Sequence, residues 1–553
     1  MALFDVKNLS FKYPGGHEHA LEDVSFCVNK GEFVVVCGDT GSGKTTLLRL
    51  LKKELSPMGE KRGNVLFEGQ DVLELPEREA AGKIGYVMQA PEQQIVTDKV
   101  WHELAFGLEN LGVAKDVIAR RVAETASYFG IENWYDKDVN ELSGGQKQLL
   151  NLAAVMVMDP SVIIFDEPTS RLDPIAASSF ISTIKKLNEN FGITVIISEH
   201  RLEELIPLCD RLMVLRNGKV VSLGEPREVI EGLCGEKDGI VEAMSGAVRL
   251  YREMGAEGRC PLTVKEGRGF VETFGNKVRR LPGEAEVKTE KKSKKDEKYA
   301  LEFKNVFFRY GKNLPDVLKD LDFSVRQGEV FCVLGGNGAG KSTMLLSAMS
   351  FLRPYSGEIR IFDKKLRDYR GQSLFDNLVG FLPQNVQTLF LKDTVKEELA
   401  GDITALPFDV AGYLSKHPYD LSGGEQQLVG LAKVLMQKPK ILLADEPTKG
   451  LDAAKKREIG NIFRKLGEQG VTVVAVTHDA EFAAEFADRC GLLFKGKIVA
   501  EATPHKFFAE NNYYTTSAAV MSKGYYDGAV TIADLAKLCR LNESGNVKDG
   551  VSG

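Results

Sequence analysis

The chain contains three short motifs twice, in the same order and at nearly the same spacing. The pairs are GDTGSGKT at Gly38–Thr45 with GGNGAGKS at Gly335–Ser342, LSGGQ at Leu142–Gln146 with LSGGE at Leu421–Glu425, and IIFDEPT at Ile163–Thr169 with LLADEPT at Leu442–Thr448. The members of the three pairs lie 297, 279 and 279 residues apart. Such a duplication predicts two similar domains, each with its own nucleotide site, and it suggests that the two halves act together.

Length and composition agree with two domains of an ordinary soluble protein. The chain has 553 residues, too many for one hydrophobic core. Its formal net charge of −6 argues against a generally basic surface for nucleic acid. No apolar run approaches the roughly 18–20 residues that cross a bilayer, and the N-terminus lacks a signal-peptide pattern. The eight cysteines include no C-x-x-C pair, so we expect reduced thiols rather than a disulfide framework or a metal site.

Four regions follow from the pattern along the chain: a first domain at 1–231, a charged flexible linker at 232–298, a second domain at 299–509 and a C-terminal extension at 510–553. Short continuous apolar strands between helices predict an α/β fold whose mostly parallel sheet is covered on both faces. The linker lacks sustained periodicity, and opposite charges nearly cancel in its run at 284–298, which favours a solvated tether. The extension has aromatic residues and a short amphipathic stretch, so we expect it to pack on the second domain.

The two halves differ just before the LSGG motif. Gln89 precedes Leu142 by 53 residues, whereas Gln384 precedes Leu421 by 37. The 16 additional residues of the first half are mostly helix-like (AKDVIARRVAETASYFG). A partner that docks there would meet an asymmetric surface.

The G-x-x-x-x-G-K-[ST] motifs follow apolar strands and open helices, the context in which backbone N–H groups cradle a triphosphate. Lys44 and Lys341 would reach the β- and γ-phosphate oxygens, while Thr45 and Ser342 would bind Mg²⁺. The predicted phosphate-binding residues are Gly38, Gly41, Gly43, Lys44, Thr45 and Thr46 in the first half and Gly335, Gly338, Gly340, Lys341, Ser342 and Thr343 in the second. A glycine-rich turn that matches by chance is the alternative for one motif, but not for two copies in the same context.

An apolar run ends in Asp166–Glu167 in the first half and in Asp445–Glu446 in the second. Each pair would lie at the carboxyl edge of the sheet, where ligands bind in such folds. The aspartate would hold Mg²⁺ directly or through water, and the glutamate would polarise the attacking water. A surface acidic pair is the alternative, and the Pro-Thr that follows both copies argues against it.

Two more pairs of residues stand at equivalent positions. His200 and His478 lie 34 and 33 residues beyond the aspartates, each at the end of a strand-like run, which favours a contact with the γ-phosphate over a chance surface histidine. Gln89 and Gln384 follow short apolar runs and would bring a side-chain amide to the metal and the water.

The serine and glycines of LSGG would cap the following helix and bind an anion at its N-terminus. Because the glycine-rich loop of the same domain already holds the phosphates, the economical solution is that each LSGG serves the nucleotide of the other half.

This conjunction of motifs resembles the ATP-binding cassette ATPases, over roughly 430 of the 553 residues. The resemblance implies two tandem P-loop NTPase domains, each with a RecA-like core, an antiparallel β subdomain and a helical subdomain, that form a head-to-tail pair within the chain and use ATP and Mg²⁺. The site of Lys44 would then face Ser422 and Gly424, and the site of Lys341 would face Ser143 and Gly145.

The same resemblance assigns four further residues. Tyr13 and Tyr310 match the aromatic residue that stacks on adenine. Asp173 and Asp452 match the loop that communicates across the pair.

A narrower resemblance comes from QAPEQQIVTDKVWHELAFGLENLGV at Gln89–Val113 and from EHRLEEL at Glu199–Leu205. Both are similar to the fused ATPase components of energy-coupling factor importers, which take up vitamins and transition metals. That resemblance implies two partners, an integral-membrane T component and a substrate-binding S component. It also implies a docking groove near residues 89–106 and 384–399, and a peripheral location at the cytoplasmic face of the membrane.

The chain departs from the family pattern at three positions. Arg171 replaces the usual small residue of the first SRLD loop, and Leu149 and Leu428 stand where many cassette ATPases have arginine. None of these is a phosphate ligand. Since each site retains its glutamate and its histidine, we expect both sites to hydrolyse ATP.

We therefore interpret the chain as the ATP-hydrolysing subunit of an importer. A soluble twin-cassette factor acting on the ribosome is one alternative, although the nearly neutral 284–298 run and the lysine-poor tail give no basic arm for RNA. A fused sugar-importer ATPase is another, although such proteins usually have one weakened site. The sequence does not identify the transported substrate.

Overall fold

The computed structural model describes residues 2–15, 18–235, 239–281, 298–369 and 371–549. Within it the chain divides into two compact units, Met1–Met244 and Ser245–Gly553. The charged run at 284–298 lies, apart from Lys298, outside the described residues. None of the helices in the described part of the chain has the length and apolar character needed to cross a membrane.

The first unit contains two sheets. Its strands are β1 (Ala2–Lys12), β2 (Leu21–Asn29), β3 (Phe33–Cys37), β4 (Glu60–Phe67), β5 (Gln70–Asp71), β6 (Ile84–Val87), β7 (Val162–Asp166), β8 (Thr194–Ser198), β9 (Arg211–Arg216) and β10 (Lys219–Gly224). Strands β2-β1-β4-β5 form an antiparallel sheet. The order of the second sheet is β10-β9-β3-β8-β7-β6, parallel except at the β9–β10 edge.

The helices of the first unit are α1 (Lys44–Leu50), α2 (Glu77–Lys83), α3 (Pro91–Gln94), α4 (Val100–Asn110), α5 (Lys115–Tyr128), α6 (Gly144–Met156), α7 (Pro174–Phe191) and α8 (Pro226–Cys234). Helices α4, α5 and α6 share an apolar cluster that includes Leu104, Val122 and Leu150, which makes them a separate helical subdomain. Helix α5 is formed by the additional residues that the sequence predicts as helical.

The second unit repeats this topology. Its strands are β11 (Tyr299–Phe308), β12 (Leu318–Arg326), β13 (Val330–Leu334), β14 (Ser356–Ile361), β15 (Lys364–Lys365), β16 (Val379–Leu382), β17 (Ile441–Asp445), β18 (Thr472–Thr477), β19 (Arg489–Phe494) and β20 (Lys497–Ala502). The antiparallel sheet has the order β12-β11-β14-β15 and the mostly parallel sheet the order β16-β17-β18-β13-β19-β20. The predicted fold class, with a parallel core and an antiparallel β subdomain in each half, is confirmed.

The helices of the second unit are α9 (Gly246–Met254), α10 (Val264–Glu272), α11 (Lys341–Ala348), α12 (Val395–Glu398), α13 (Gly423–Leu435), α14 (Ala453–Glu468), α15 (Ala480–Phe486), α16 (Pro504–Glu510), α17 (Ser517–Ser522) and α18 (Ile532–Asp549). Where the first unit has α5, the second has 3₁₀ turns at Ile403–Ala405 and Ala411–Tyr413. The helical subdomain of the second unit is therefore smaller.

The central strands explain why the sites lie where they do. All five residues of β3 and all five of β13 are buried, as expected for continuous apolar runs at the centre of a sheet that is covered on both faces. Each strand leads directly into a glycine-rich loop and a helix, which places the loop at the carboxyl edge of the parallel strands.

The structure differs from the expected flexible linker over residues 246–272. These residues form α9 and α10, which pack with α17 and α18 around an apolar cluster that includes Ala247, Leu250, Met521 and Leu538. We call α9, α10, α17 and α18 the helical layer. The linker prediction failed here because the amphipathic faces of these short helices are buried against each other and against helices more than 240 positions away in the sequence.

The helical layer is attached to the second domain through Glu481 in α15. The Glu481 carboxylate accepts hydrogen bonds from the backbone N–H and the hydroxyl of Ser517, at 2.8 and 2.7 Å, and lies 3.4 Å from the Arg249 guanidinium. The expected packing of the extension on the second domain is thus seen at α15, which begins two residues after His478.

Candidate functional site

The first glycine-rich loop connects β3 to α1. Gly43 precedes α1 with φ of +99°, and a side chain at this position would approach the Ala20 carbonyl oxygen to 2.5 Å, so only glycine fits. The Lys44 ammonium donates to the carbonyl oxygens of Gly38 and Asp39, at 2.8 and 3.0 Å, which holds it over the loop. This is the position from which a lysine reaches bound phosphates.

The second loop has the same conformation between β13 and α11. Gly340 has φ of +104°, and the Lys341 ammonium donates to the Gly335 carbonyl oxygen at 2.8 Å. The same ammonium lies 2.7 Å from His478 Nε2 and 3.6 Å from Glu446 Oε1. Burial lowers the pKa of Lys341, and the charge of Glu446 opposes this effect.

Asp166 is the last residue of β7 and is buried. Its Oδ1 accepts hydrogen bonds from Thr45 Oγ1 at 3.0 Å and from Ser198 Oγ at 3.1 Å, and its Oδ2 accepts one from the Tyr86 hydroxyl at 3.1 Å. Burial raises the pKa of Asp166, and the charge of Glu167 adds to this shift, against the three donated hydrogen bonds.

The structure brings three of the predicted catalytic residues of the first half together around Glu167. His200 Nε2 lies 2.9 Å from Glu167 Oε1, and Gln89 Nε2 donates to Glu167 Oε2 at 2.9 Å. Glu167 has φ of +45°, an uncommon conformation for a residue other than glycine. Its amide hydrogen-bonds the Ser198 carbonyl oxygen at 3.0 Å, which helps to hold the backbone in that conformation.

The second half repeats only part of this arrangement. Glu446 has φ of +48°, and its Oε1 lies 3.0 Å from His478 Nε2. Gln384 is exposed, and among the described residues no hydrogen bond joins it to Glu446. Asp445 is buried beside Ser342, and its Oδ1 has no hydrogen-bond partner in the described part of the chain.

These residues fit a magnesium–triphosphate group. In each half a glycine-rich backbone loop, a lysine and a hydroxyl lie next to a buried aspartate, and hydroxyl and carboxylate oxygens are the ligands that Mg²⁺ prefers. The unpaired Oδ1 of Asp445 supports the fit, because a buried carboxylate oxygen without a partner is costly unless a cation or water satisfies it.

The LSGG serines cap helices, as the sequence predicts. Ser143 Oγ accepts from the Gln146 amide at 3.3 Å, and Gln146 Oε1 accepts from the Ser143 amide at 2.9 Å, a reciprocal capping box at the start of α6. Ser422 and Glu425 form the same box at the start of α13. In both boxes the serine oxygen accepts, so its hydrogen is available to an anion at the helix N-terminus. Gly145 and Gly424 each lie in the first turn of the capped helix.

The predicted adenine-stacking residues lie beside the loops. The Tyr13 hydroxyl is 3.0 Å from Thr46 Oγ1, and the Tyr310 hydroxyl is 3.1 Å from Thr343 Oγ1. Both rings are partly exposed, so a face of each is accessible to a base. Their stacking role stays a prediction.

The aspartates of the predicted communication loops cap helices. Asp173 accepts from the Ala176 amide at the start of α7, and Asp452 accepts from the Lys455 amide at the start of α14. Communication across the pair is not tested by this capping.

Arg171 forms an ion pair with Glu92, 3.2 Å apart and mostly exposed. This pair joins the first SRLD loop to α3, the helix that follows Gln89. The second domain has Gly450 at the corresponding position and therefore lacks the arginine.

Several residues of the site were not identified from the sequence. Tyr86 and Ser198 hydrogen-bond Asp166, and the fully buried Glu199 accepts from the amide and hydroxyl of Thr169, both at 2.7 Å. Burial raises the pKa of Glu199. No local sequence signal marks Tyr86, because it stands in an otherwise apolar, buried strand.

Comparison with known proteins agrees with this geometry. Two segments of the chain, residues 21–170 and 318–449, match the family model described as ABC transporter. A protein of Bacillus cereus, named provisionally as an ABC transporter ATP-binding protein, is 39% identical over 97% of this chain and 98% of its own length.

Two further similarities were found. A protein of Streptomyces coelicolor with the same provisional name is 32% identical over 90% of this chain and 93% of its own length. The solved structure of cbiO1 from Clostridium perfringens, described as part of the ABC transporter complex cbiONQ, is 30% identical and covers 43% of this chain and 96% of its own, with a TM-score of 0.38.

The repeated family match and the full-length relatives agree with the two loops, each with its buried aspartate and its glutamate. The chain therefore belongs to the ABC transporter family, as an ATP-hydrolysing subunit with two tandem cassettes that bind ATP with Mg²⁺.

Proposed function

We propose that this ABC ATPase powers an importer of the energy-coupling factor type, which takes up a vitamin or a metal ion. Its partners would be an integral-membrane T component and a substrate-binding S component, and it would bind them at the cytoplasmic face of the membrane. The segments Gln89–Val113 and Glu199–Leu205, which are similar to the fused ATPases of such importers, support the choice of this type.

The observation that carries the proposal is an exposed apolar residue at the same place in each domain. Val96 lies between α3 and α4 and is 66% exposed, and Leu391 lies just before α12 and is 82% exposed. A single exposed apolar residue is ordinary on a protein surface, so the recurrence of one at the same place in both domains is what favours a docking role.

A buried glutamate carboxylate accepts hydrogen bonds from the backbone of each of these loops. Glu103 Oε2 accepts from the amides of Val96 and Thr97, at 3.1 and 2.8 Å. Glu398 in turn accepts from the amides of Leu391 and Lys392. Since the apolar tips are fixed by buried carboxylates rather than left mobile, they are preorganised for a partner.

The chemistry in each site follows from the residues that the structure brings together. Glu167 and Glu446 would each accept a proton from the attacking water, and His200 and His478, 2.9 and 3.0 Å away, would orient the glutamates. Bound Mg²⁺ would neutralise charge on the phosphates, with Thr45 and Asp166 holding it in the first site and Ser342 and Asp445 in the second. Lys44 and Lys341 would stabilise the charge on the leaving phosphate oxygens.

We further propose that each capped helix completes the nucleotide site of the other domain. Within its own domain the glycine-rich loop already supplies the phosphate cradle, and the serine hydrogens of Ser143 and Ser422 remain available for an anion. ATP binding would then close the two domains on each other and hydrolysis would release them, a population shift that the membrane partner follows.

Ser422→Arg tests this cross-pairing. The substitution should reduce nucleotide trapping at the site of Lys44 more than at the site of Lys341, as read by cross-linking of a photoreactive ATP analogue and peptide mapping. Greater loss at the site of Lys341 would contradict the pairing. Ser143→Arg is the matched variant and should show the opposite pattern.

Co-purification tests the importer proposal. We expect the tagged chain to retain small integral-membrane proteins from detergent-solubilised membranes, and Val96→Asp with Leu391→Asp to lose them while ATP binding persists. Met58→Asp is the matched control, because Met58 is also exposed but lies far from the two loops in sequence. Retention of the membrane proteins by the double variant would contradict the docking surface, and salt-dependent recovery with ribosomes instead would favour the translation alternative.

A further inference from the structure

We propose that the two magnesium sites are not equivalent, because Tyr86 and Ser198 position Asp166, whereas side chains without a hydroxyl stand at the two corresponding positions of the second domain. This inference rests on the proposed assignment of Asp166 and Asp445 as the carboxylates that hold Mg²⁺. Tyr86 and Ser198 are positioning residues, since they act through Asp166.

Both oxygens of the Asp166 carboxylate are fixed by hydroxyl groups. Ser198 Oγ donates to Oδ1 at 3.1 Å and the Tyr86 hydroxyl donates to Oδ2 at 3.1 Å. Tyr86 and Ser198 are both buried, so neither hydroxyl is free to exchange its partner for solvent. Thr45 also donates to Asp166, but it is itself a proposed ligand of Mg²⁺ and would leave the carboxylate when the metal binds.

The strand registers show which residues correspond in the second domain. Tyr86 pairs with Ile164, two residues before Asp166, and Phe381 pairs with Leu443, two residues before Asp445. Phenylalanine has no hydroxyl, so Phe381 cannot donate to Asp445 the hydrogen bond that Tyr86 donates to Asp166 Oδ2.

The other donor is lost in the same way. Asp166 pairs with Ser198, and Asp445 pairs with Val476, so an aliphatic side chain takes the place of the serine. Consistent with the loss of a donor, Asp445 Oδ1 is buried without a partner in the described part of the chain.

The difference should affect Mg²⁺ affinity. When the Thr45 hydroxyl binds the metal, Asp166 still accepts hydrogen bonds from Tyr86 and Ser198. When the Ser342 hydroxyl does so, Asp445 has neither of the corresponding donors. A carboxylate whose orientation is already fixed loses less freedom on binding, and loss of such supporting partners typically costs about 10- to 100-fold in metal affinity. The first site should therefore fill with metal at the lower concentration.

The test measures metal binding directly in the full chain. Mn²⁺ serves as the probe, its free concentration is followed by electron paramagnetic resonance, and AMP-PNP is held at saturation so that no hydrolysis occurs. Lys341→Ala leaves the first site to bind nucleotide, and Lys44→Ala leaves the second. In these backgrounds we expect the first site to bind Mn²⁺ about 10-fold more tightly than the second.

Two reciprocal substitutions assign the difference to the hydroxyl. Tyr86→Phe should weaken Mn²⁺ binding at the first site about 10-fold, and Phe381→Tyr should strengthen it at the second. AMP-PNP binding in excess EDTA should stay unchanged in both variants, which a merely structural defect would not allow. Ser198→Ala, added to Tyr86→Phe, should bring the first site close to the affinity of the second.

Asp166→Asn separates the possible failures. If Asp166→Asn leaves Mn²⁺ affinity unchanged, the assignment of the metal carboxylate is wrong and this inference falls with it. If Asp166→Asn weakens binding but Tyr86→Phe does not, or if Tyr86→Phe weakens metal-free nucleotide binding equally, the positioning role alone is overturned.

Discussion

Gly267→Ala should loosen the helical layer, and Gly269→Ala in the same helix should not. A methyl group at Gly267 would lie 2.4 Å from Met521 Sδ and 2.8 Å from Ala247 Cβ, well inside van der Waals contact. Met521 and Ala247 are fully buried, so they have little room to move. At Gly269 no atom lies within 4 Å of the added methyl group.

The magnitude follows from two opposing effects. Alanine is favoured over glycine in a helix by about 0.5–1 kcal/mol, and both positions of α10 gain this equally. Overpacking at Gly267 costs about 1–3 kcal/mol. The two variants should therefore differ by about 1–3 kcal/mol in the free energy of opening the layer, with Gly267→Ala the less stable.

Hydrogen exchange with mass spectrometry is the suitable assay. Both tryptophans of the chain, Trp101 and Trp134, are in the first unit, so tryptophan fluorescence does not report on the layer. Amides of α10 and α17 should exchange about 5- to 150-fold faster in Gly267→Ala than in Gly269→Ala, while those of the first unit stay unchanged. Equal exchange in the two variants would refute the close packing of α10 on α17.

Three other expectations can be tested on the same protein. Glu167→Gln with Glu446→Gln should slow ATP turnover by about 10²- to 10⁴-fold while ATP binding persists, and normal turnover in a phosphate-release assay would refute the proposed bases. Because burial raises the pKa of Glu199, the folded state binds its proton more tightly than the unfolded state, so stability falls as pH rises from about 4.5 through the folded-state pKa. Glu199→Gln should flatten this dependence, since its amide oxygen still accepts from Thr169, and an unchanged slope of melting temperature against pH would contradict the shift. Cys27 is an exposed thiol, so maleimide should label it faster than the buried cysteines in the native protein, and equal labelling rates would contradict the packing.

Short-range patterns made most of the fold and much of the site predictable. A continuous apolar strand, a glycine-rich loop and a helix are adjacent in sequence, so Lys44 and Lys341 are placed by local geometry alone. Glu167 and His200 follow the ends of the neighbouring parallel strands β7 and β8, and this topology brings them within hydrogen-bonding distance.

Contacts that depend on distant residues were not predictable. Helices α9 and α10 have their partners in α17 and α18, and nothing in residues 246–272 alone shows which surface will cover them. Tyr86 reads as one more apolar residue of its strand until the register places its hydroxyl on Asp166. The exposed Gln384 shows that equivalent positions in the two halves need not form equivalent contacts.

The number of nucleotides bound by one chain tests the central claim most directly. With hydrolysis blocked by Glu167→Gln and Glu446→Gln, equilibrium dialysis with labelled ATP and Mg²⁺ should give two nucleotides per chain. Adding Lys44→Ala or Lys341→Ala should reduce the number to one in each case. Two results would contradict two cassettes that each bind ATP through their own loop. One is a single nucleotide per chain before either lysine is replaced. The other is two nucleotides per chain in each of the single-lysine variants.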